Sequence, residues 1–388
     1  MRVRRPRPWR LLAAATALAA LAAACGNDDD TETDDADAAA DDAGTDDAAA
    51  GELTPVRLQL QWFAQTQFAG YYAAEALGFY EDEGLDVEIL EGGVDIVPQQ
   101  VLATGGAEFA IAWVPKALET REEGADIVNI AQVFQRSGTL EVTWADSGID
   151  SIEELEGKRV GTWGFGNEFE LFAGLTQAGI DPEGDVEIVQ QPFDMSLLLN
   201  NEVDAAQAMT YNEYAQVLET ENPETGELYQ PEDLNIIDFN DVGTAMLQDA
   251  IWADASWLDE GDNQDVAERF VRASLRGWAH CRDNFDECVE IVLDQGPTLG
   301  EGHMRWQMNE INKLIWPSPG GVGMMDQELW DQTVEVATSE NILSAEPDAD
   351  AFRTDIAEAA IADLEADGAD VRGEDYEPIE VEVTPGGE

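Results

Sequence analysis

From position 56 onward, short apolar runs alternate with stretches of helical period. Strand-like segments rich in Val, Ile, Leu and Trp fall at 56–62, 87–90, 108–113, 127–133, 141–144, 159–163, 186–190, 236–239 and 250–252. Helical periodicity occupies 70–83, 96–104, 115–123, 168–178, 195–200 and 211–220 between them. Alternation on this scale predicts an α/β fold with largely parallel sheets. After position 255 the pattern turns almost wholly helical, at 266–282, 286–293, 304–314, 327–338 and 351–364. That run is expected to pack on the α/β body as a cap.

Upstream of the body the pattern changes character. Residues 1–10 carry five arginines, 11–24 are an unbroken run of Leu, Ala and Thr, and Cys25 follows three alanines. A basic segment, a short apolar run and small residues before a cut describe a secretory leader, and the run is too short to span a bilayer. The expectation is a leader over 1–25 cut ahead of a lipid-bearing Cys25, with a plain leader and a chance cysteine as the alternative. The mature protein is then anchored on the outer face of the cell membrane. Residues 26–52 contain Asp, Ala, Thr and Gly but no aromatic or branched aliphatic side chain, so 26–55 reads as a disordered acidic tether. A second acidic segment, 368–388, reads as a tail. The intervening 315 or so residues suffice for two lobes, without an internal repeat or a second apolar span.

Charge narrows the partners. The chain has 19 Lys plus Arg against 83 Asp plus Glu; loss of the five leader arginines leaves 14 against 83, a net −69. Such repulsion is largely local at about 1 M salt, where the screening length is about 3 Å, so the surface suits a salty habitat. The acids are spread through every predicted helix and loop, which argues against one docking block for a basic partner. No basic stripe exists to neutralise phosphates, and nucleic acid is excluded. His280 and His303 lack spaced ligand partners, so no metal site is expected. Cys281 and Cys288 flank a predicted turn and are expected to form a disulfide between successive helices, whereas on one continuous helix they would lie too far apart.

Trp62, Trp113, Trp144, Trp163 and Trp252 each fall at the carboxyl end of a predicted strand. In open α/β sheets ligands bind outside those ends, so the five rings are expected to converge on one cleft and hold a flat aromatic ligand. A single strand-end Trp that merely closes the core is the alternative. The loop Gly161-Thr-Trp-Gly164-Phe-Gly166-Asn-Glu168 opens a helix, and its glycines allow close backbone approach to a ligand. It lacks the third glycine of a dinucleotide fingerprint, and Glu168 would repel an anion. Asn167 and the free amides are therefore assigned to a neutral polar edge, with Glu168 accepting from a donor or capping the helix.

Beyond these features, Leu60-Gln-Trp62-Phe-Ala-Gln65, Gly70-Tyr-Tyr-Ala-Ala-Glu75, Gly78-Phe-Tyr80 and Glu83-Gly-Leu-Asp-Val-Glu-Ile-Leu90 resemble the opening of solute-binding proteins of the sulfonate, taurine and thiamine-pyrimidine group of ABC importers. The resemblance continues through Lys116-Ala-Leu, Ala125-Asp-Ile-Val-Asn-Ile-Ala131, Leu155-Glu-Gly-Lys-Arg-Val-Gly161 and Asn201-Glu-Val-Asp-Ala205. It implies a type II periplasmic-binding-protein fold: lobe 1 over 56–140, lobe 2 over 141–245, and 246–367 returning to lobe 1 with the C-terminal helices. On that frame 141–144 and 250–252 are the hinge crossings. An ABC permease with its ATPase subunits is the implied partner.

Within the group, 65–72, Trp163 to Glu168 and Gln191-Pro-Phe-Asp194 are similar to the branch that binds riboflavin or thiamine pyrimidine precursors. The same branch includes a fungal thiamine pyrimidine synthase that consumes its own histidine and a bound pyridoxal cofactor. This chain departs from it: Phe68 stands at the histidine position, Ala112 at the cofactor lysine, Lys116 is displaced by a turn, and 244–251 holds no cysteine cluster. The resemblance thus implies a binding protein with no cofactor, riboflavin leading over a thiamine pyrimidine precursor, while a synthase-type enzyme and a scaffold lipoprotein without ligand stand as the other readings. Trp62, Trp113 and Trp163 are assigned to stacking, and Gln65, Gly164, Asn167, Glu168, Tyr211, Asn212 and Gln248 to the polar edge. Phe68, Tyr71 and Phe193 complete the walls.

Overall fold

The computed structural model describes residues 53–296 and 298–388. The leader, Cys25 and the tether up to residue 52 lie outside the described residues. Two five-stranded sheets organise the rest. The first holds β1 (Thr54–Gln59), β2 (Leu85–Leu90), β3 (Phe109–Trp113), β4 (Ile127–Gln132) and β10 (Asp249–Asp254), in the order β2-β1-β3-β10-β4. The second holds β5 (Thr139–Trp144), β6 (Arg159–Thr162), β7 (Glu187–Gln190), β8 (Ala205–Met209) and β9 (Leu234–Asp238), in the order β7-β6-β8-β5-β9.

Strand pairing follows from where the chain enters each sheet. β1 lies parallel to β2 and β3, and β6 lies parallel to β7 and β8. β5 runs antiparallel to β8 and β9, and β10 antiparallel to β3 and β4. These two reversed strands are the first that the chain forms on passing into a lobe. The passages themselves are 133–138 and 243–248, so the hinge crossings lie just ahead of 141–144 and 250–252, which are interior strand residues. β4, the edge strand paired antiparallel with β10, is buried along its whole length, its outer side met by bridges to Phe352 and Gly323.

Helix boundaries respond to local sequence. The expected helix 70–83 divides into Ala69–Ala76 and Phe79–Asp82, with Gly78 ending the first. The long helix Asn263–Asp283 crosses Ala69–Ala76 so closely that a Cβ on Gly277 would sit 2.0 Å from the Gly70 carbonyl oxygen, and one on Gly70 would meet the Trp278 ring at 2.3 Å. A disulfide joins Cys281 at the end of that helix to Cys288 in the helix Phe285–Leu293.

The acidic segment 368–388 is laid along the body. Ser318 and Val322 donate backbone bonds to Arg372 and Val371, Ile379 N donates to Asn309 Oδ1, and Gly386 N donates to the Glu219 carbonyl of lobe 2. Val371, Tyr376 and Val383 turn inward while Glu374, Asp375, Glu377 and Glu380 stay exposed. The helix Glu301–Ile315 also reaches lobe 2: Trp306 Nε1 donates to the Thr210 carbonyl, and His303 lies between Glu219 and Asn212 at 2.8 and 2.9 Å. Among the described residues no helix is long and apolar enough to cross a membrane.

Gly277→Ala should lower stability by about 1 to 3 kcal/mol, because the added methyl has no room against the Gly70 carbonyl. Urea unfolding in molar salt reads this directly; an unchanged midpoint would mean that the two helices separate freely.

Candidate functional site

The carboxyl ends of β1 and β3 face those of β6 and β7, and three of the five strand-end tryptophans meet there. Phe193, just past β7, lies 4.9 Å from Trp62 of lobe 1 and 6.1 Å from Trp163 of lobe 2, the second pair nearly parallel at 22°. Trp62 also meets Phe63 edge-on at 5.5 Å. Trp113 forms the floor, with the Lys116 ammonium 4.8 Å over its ring.

Trp144 and Trp252 do not join them. They lie on β5 and β10, the two reversed strands, whose carboxyl ends point away from the cleft. Trp144 packs on Tyr229 at 4.8 Å and donates to the Leu198 carbonyl. Trp252 is fully buried, donates to the Ala112 carbonyl at 3.1 Å and shares a core with Trp330.

What β10 contributes to the cleft is its first residue. Asp249, 2 % exposed, accepts from Gln61 Nε2 at 2.5 Å, Trp113 Nε1 at 2.9 Å and Gln67 Nε2 at 2.9 Å. Burial pushes its carboxyl up to about 7, against the pull of those three donors. Gln65 joins the network through Gln67 at 2.5 Å, and Thr66 and Gln67 are held by Gln307. The sequence reading passed over Asp249, Gln61 and Gln67. An acid at the head of the apolar run 250–253 was the available signal for the first.

Across the cleft stands the loop after β6. Gly164, Phe165 and Gly166 all take left-handed φ, at 66°, 56° and 84°, which only the two glycines adopt without strain. Asn167 Nδ2 donates to the Gly164 carbonyl, its own carbonyl accepts from Gln207, and its Oδ1 accepts from Lys116 Nζ at 2.7 Å. The last bond links the lobes. Burial lowers Lys116 to about 8, with Glu168, Glu119 and Asp249 opposing the shift. Glu168 accepts from Gly166 N at 3.0 Å and makes no cap bond to its helix.

The remaining assigned residues divide. Tyr71 and Tyr211 are buried beside Asp249, and the Tyr71 hydroxyl, Trp163 Nε1 and Thr210 Oγ1 have no hydrogen-bond partner. Phe68 is wholly inside the lobe 1 core and forms no wall. Gln248 accepts from Gly138 N and donates to Ser137 and Thr139, so its amide braces the two crossings. Asn212 faces His303 and Glu213 at the outer contact between lobes. Between Trp113, Asn167 and Gln248 the closed lobes leave a cavity of about 10 Å³, room for roughly one water. Among the described residues no cluster of His, Cys, Asp or Glu could hold a metal.

Known proteins resemble this chain in sequence and in fold. The chain is 26% identical over 306 residues to riboflavin-binding protein RibY of Chloroflexus aurantiacus, covering 76% of this chain and 84% of that one. It is 24% identical over 289 residues to the formylaminopyrimidine-binding protein of Halalkalibacterium halodurans, covering 73% and 84%. A 4-amino-5-hydroxymethyl-2-methylpyrimidine phosphate synthase of Legionella pneumophila is 29% identical over a shorter stretch, 33% of this chain and 40% of its own. In structure, the periplasmic aliphatic sulphonate binding protein SsuA of Escherichia coli superposes with a TM-score of 0.56 at 15% identity, covering 84% of this chain and 94% of that one, which identifies the fold as that of periplasmic binding proteins. Residues 65–288 match the family described as NMT1/THI5 like, and the chain, matched over more than half its length, belongs to that family.

Proposed function

We propose that this protein is an extracytoplasmic, lipid-anchored solute-binding protein that captures a flat heteroaromatic nutrient and hands it to an ABC permease. The observation that carries the reading is the pair Trp62 and Trp163, set on opposite lobes with only Phe193 between them. A planar ligand takes the place of that ring when the lobes part and reclose. Two aromatic contacts supply about 1 to 3 kcal/mol beyond area burial, whereas micromolar affinity needs about 8. The unpartnered Trp163 Nε1, with the Asp249 network, supplies polar contacts to the ring edge.

Riboflavin is the favoured ligand, on the relative of that name. A thiamine pyrimidine precursor is the second reading, and Asp249 favours it, since a buried carboxylate suits amino N–H donors. A synthase activity is disfavoured by the residues themselves. Phe68 is packed in the core, and the charged neighbours of Lys116 are carboxylates, which do not suit a cofactor phosphate.

Titration of the leader-free protein with riboflavin in molar salt, read by Trp and flavin fluorescence together, should give saturable quenching at micromolar concentration or below. Its absence from folded protein would move the assignment to the pyrimidine. Trp62→Ala and Trp163→Ala should each weaken binding about tenfold, the upper range of one lost ring contact, without unfolding the protein; unchanged affinity in both would remove the stacking assignment. Because Asp249 ionises near 7 and accepts better when charged, affinity for a ligand that donates N–H should rise as pH passes upward through about 7 and then level off. Asp249→Asn should flatten that profile, and an equal slope in the variant would place the titrating group elsewhere.

A further inference from the structure

A second cavity, about 280 Å³, opens between the disulfide hairpin, the helix Glu301–Ile315 and the C-terminal segment. Its lining shares no residue with the cleft. Gln307 of that helix points to Thr66 and Gln67, whereas Asn309 and Asn312 lie about 200° and 140° further round the axis. Asn312 is 1 % exposed, yet its Oδ1 has no hydrogen-bond partner, and neither has the hydroxyl of Tyr376. Asn309 is already engaged through Ile379 N.

The charges around these acceptors are unequal. Arg282 is the one cation among the lining residues, and it is spent: it donates to Asp283, lies 3.3 Å from Asp370 and stacks on Trp316. Against it stand Asp283, Asp370, Asp375 and Glu377, which leaves a formal −3 among the lining residues, with Asp375 and Glu377 in no ion pair among the described residues. The ring of Phe285 adds an apolar wall, with the Arg305 guanidinium already 5.2 Å from its centroid and paired to Asp286. Buried oxygen acceptors and surplus negative charge together select a ligand that donates N–H and carries positive charge.

We propose that this cavity is a second binding site, for a small organic cation bearing a primary amine, with the ammonium donating to Asn312 Oδ1 and the Tyr376 oxygen while Asp375 and Glu377 balance its charge. In molar salt the exposed carboxylates are screened over about 3 Å, so the buried amide and phenol carry the selectivity. A metal ion is a poorer fit, because no cluster of three His, Cys, Asp or Glu side chains is present among the described residues.

Calorimetric titration with putrescine in molar salt tests this on the folded protein. Saturable binding with a Kd below about 1 mM is expected. Asn312→Leu and Tyr376→Phe should each weaken it about tenfold, the effect of one lost bond to a charged group. Tyr376→Phe removes a single oxygen and keeps the test valid should the Asn312 variant fail to fold. Trp62→Ala, in the cleft, should leave putrescine binding unchanged, and 1,4-butanediol, of the same length without charge, should not bind. No saturable heat, undiminished binding in Tyr376→Phe, or equal binding of the diol would overturn the proposal.

Discussion

The cleft depends on one buried carboxylate. Asp249 is the first residue that the chain places in sheet 1 after its second crossing, and its two oxygens gather Gln61 from the end of β1, Gln67 from the following turn and Trp113 from the end of β3. Three segments far apart in sequence are thereby fixed against one another at the point where the lobes meet. The arrangement costs desolvation of the charge, which is why its proton is held to about 7. A group left between its charged and neutral forms near neutrality is able to accept from a ligand or to release its internal donors to one. On the proposed function, structural anchoring and recognition fall to the same atoms.

Much of the fold was legible because the physics that makes a strand is local. Nine strands were expected from apolar runs rich in Val, Ile and Trp, and all nine are present with shifted ends. The tenth, Ala205–Met209, was missed because Ala-Ala-Gln-Ala-Met carries no branched or aromatic side chain and owes its place to burial between β5 and β6. Helices were found for the same reason, although the break at Gly78 within the expected 70–83 was not.

The site was legible only in part, since strand direction is a property of topology. The rule that ligands gather at carboxyl ends presumes parallel strands. A chain arriving from the other lobe enters at the cleft, so its first strand must run away from it. On β5 and β10 the cleft residues are thus the leading ones, Thr139 and Asp249, while Trp144 and Trp252 are carried to the far side. Trp62, Trp113 and Trp163, on forward strands, converge as expected. Gln248 lines the small cavity between the lobes and also braces the crossings, and a polar residue beside a cleft and one that braces a crossing have the same sequence signature; its three partners show the second role.

The C-terminal segment runs from Val371 in lobe 1 to Gly386, whose amide is bonded to Glu219 in lobe 2. It bridges the lobes outside both crossings, beside the helix Glu301–Ile315, whose His303 and Trp306 also bond to lobe 2. Two crossings alone would let the lobes pivot as a hinge; a third attachment would act on that motion as a check-strap. Release of the last few residues would then come before ligand entry, so that the kinetics of capture would be governed by a stretch of chain that never touches the ligand.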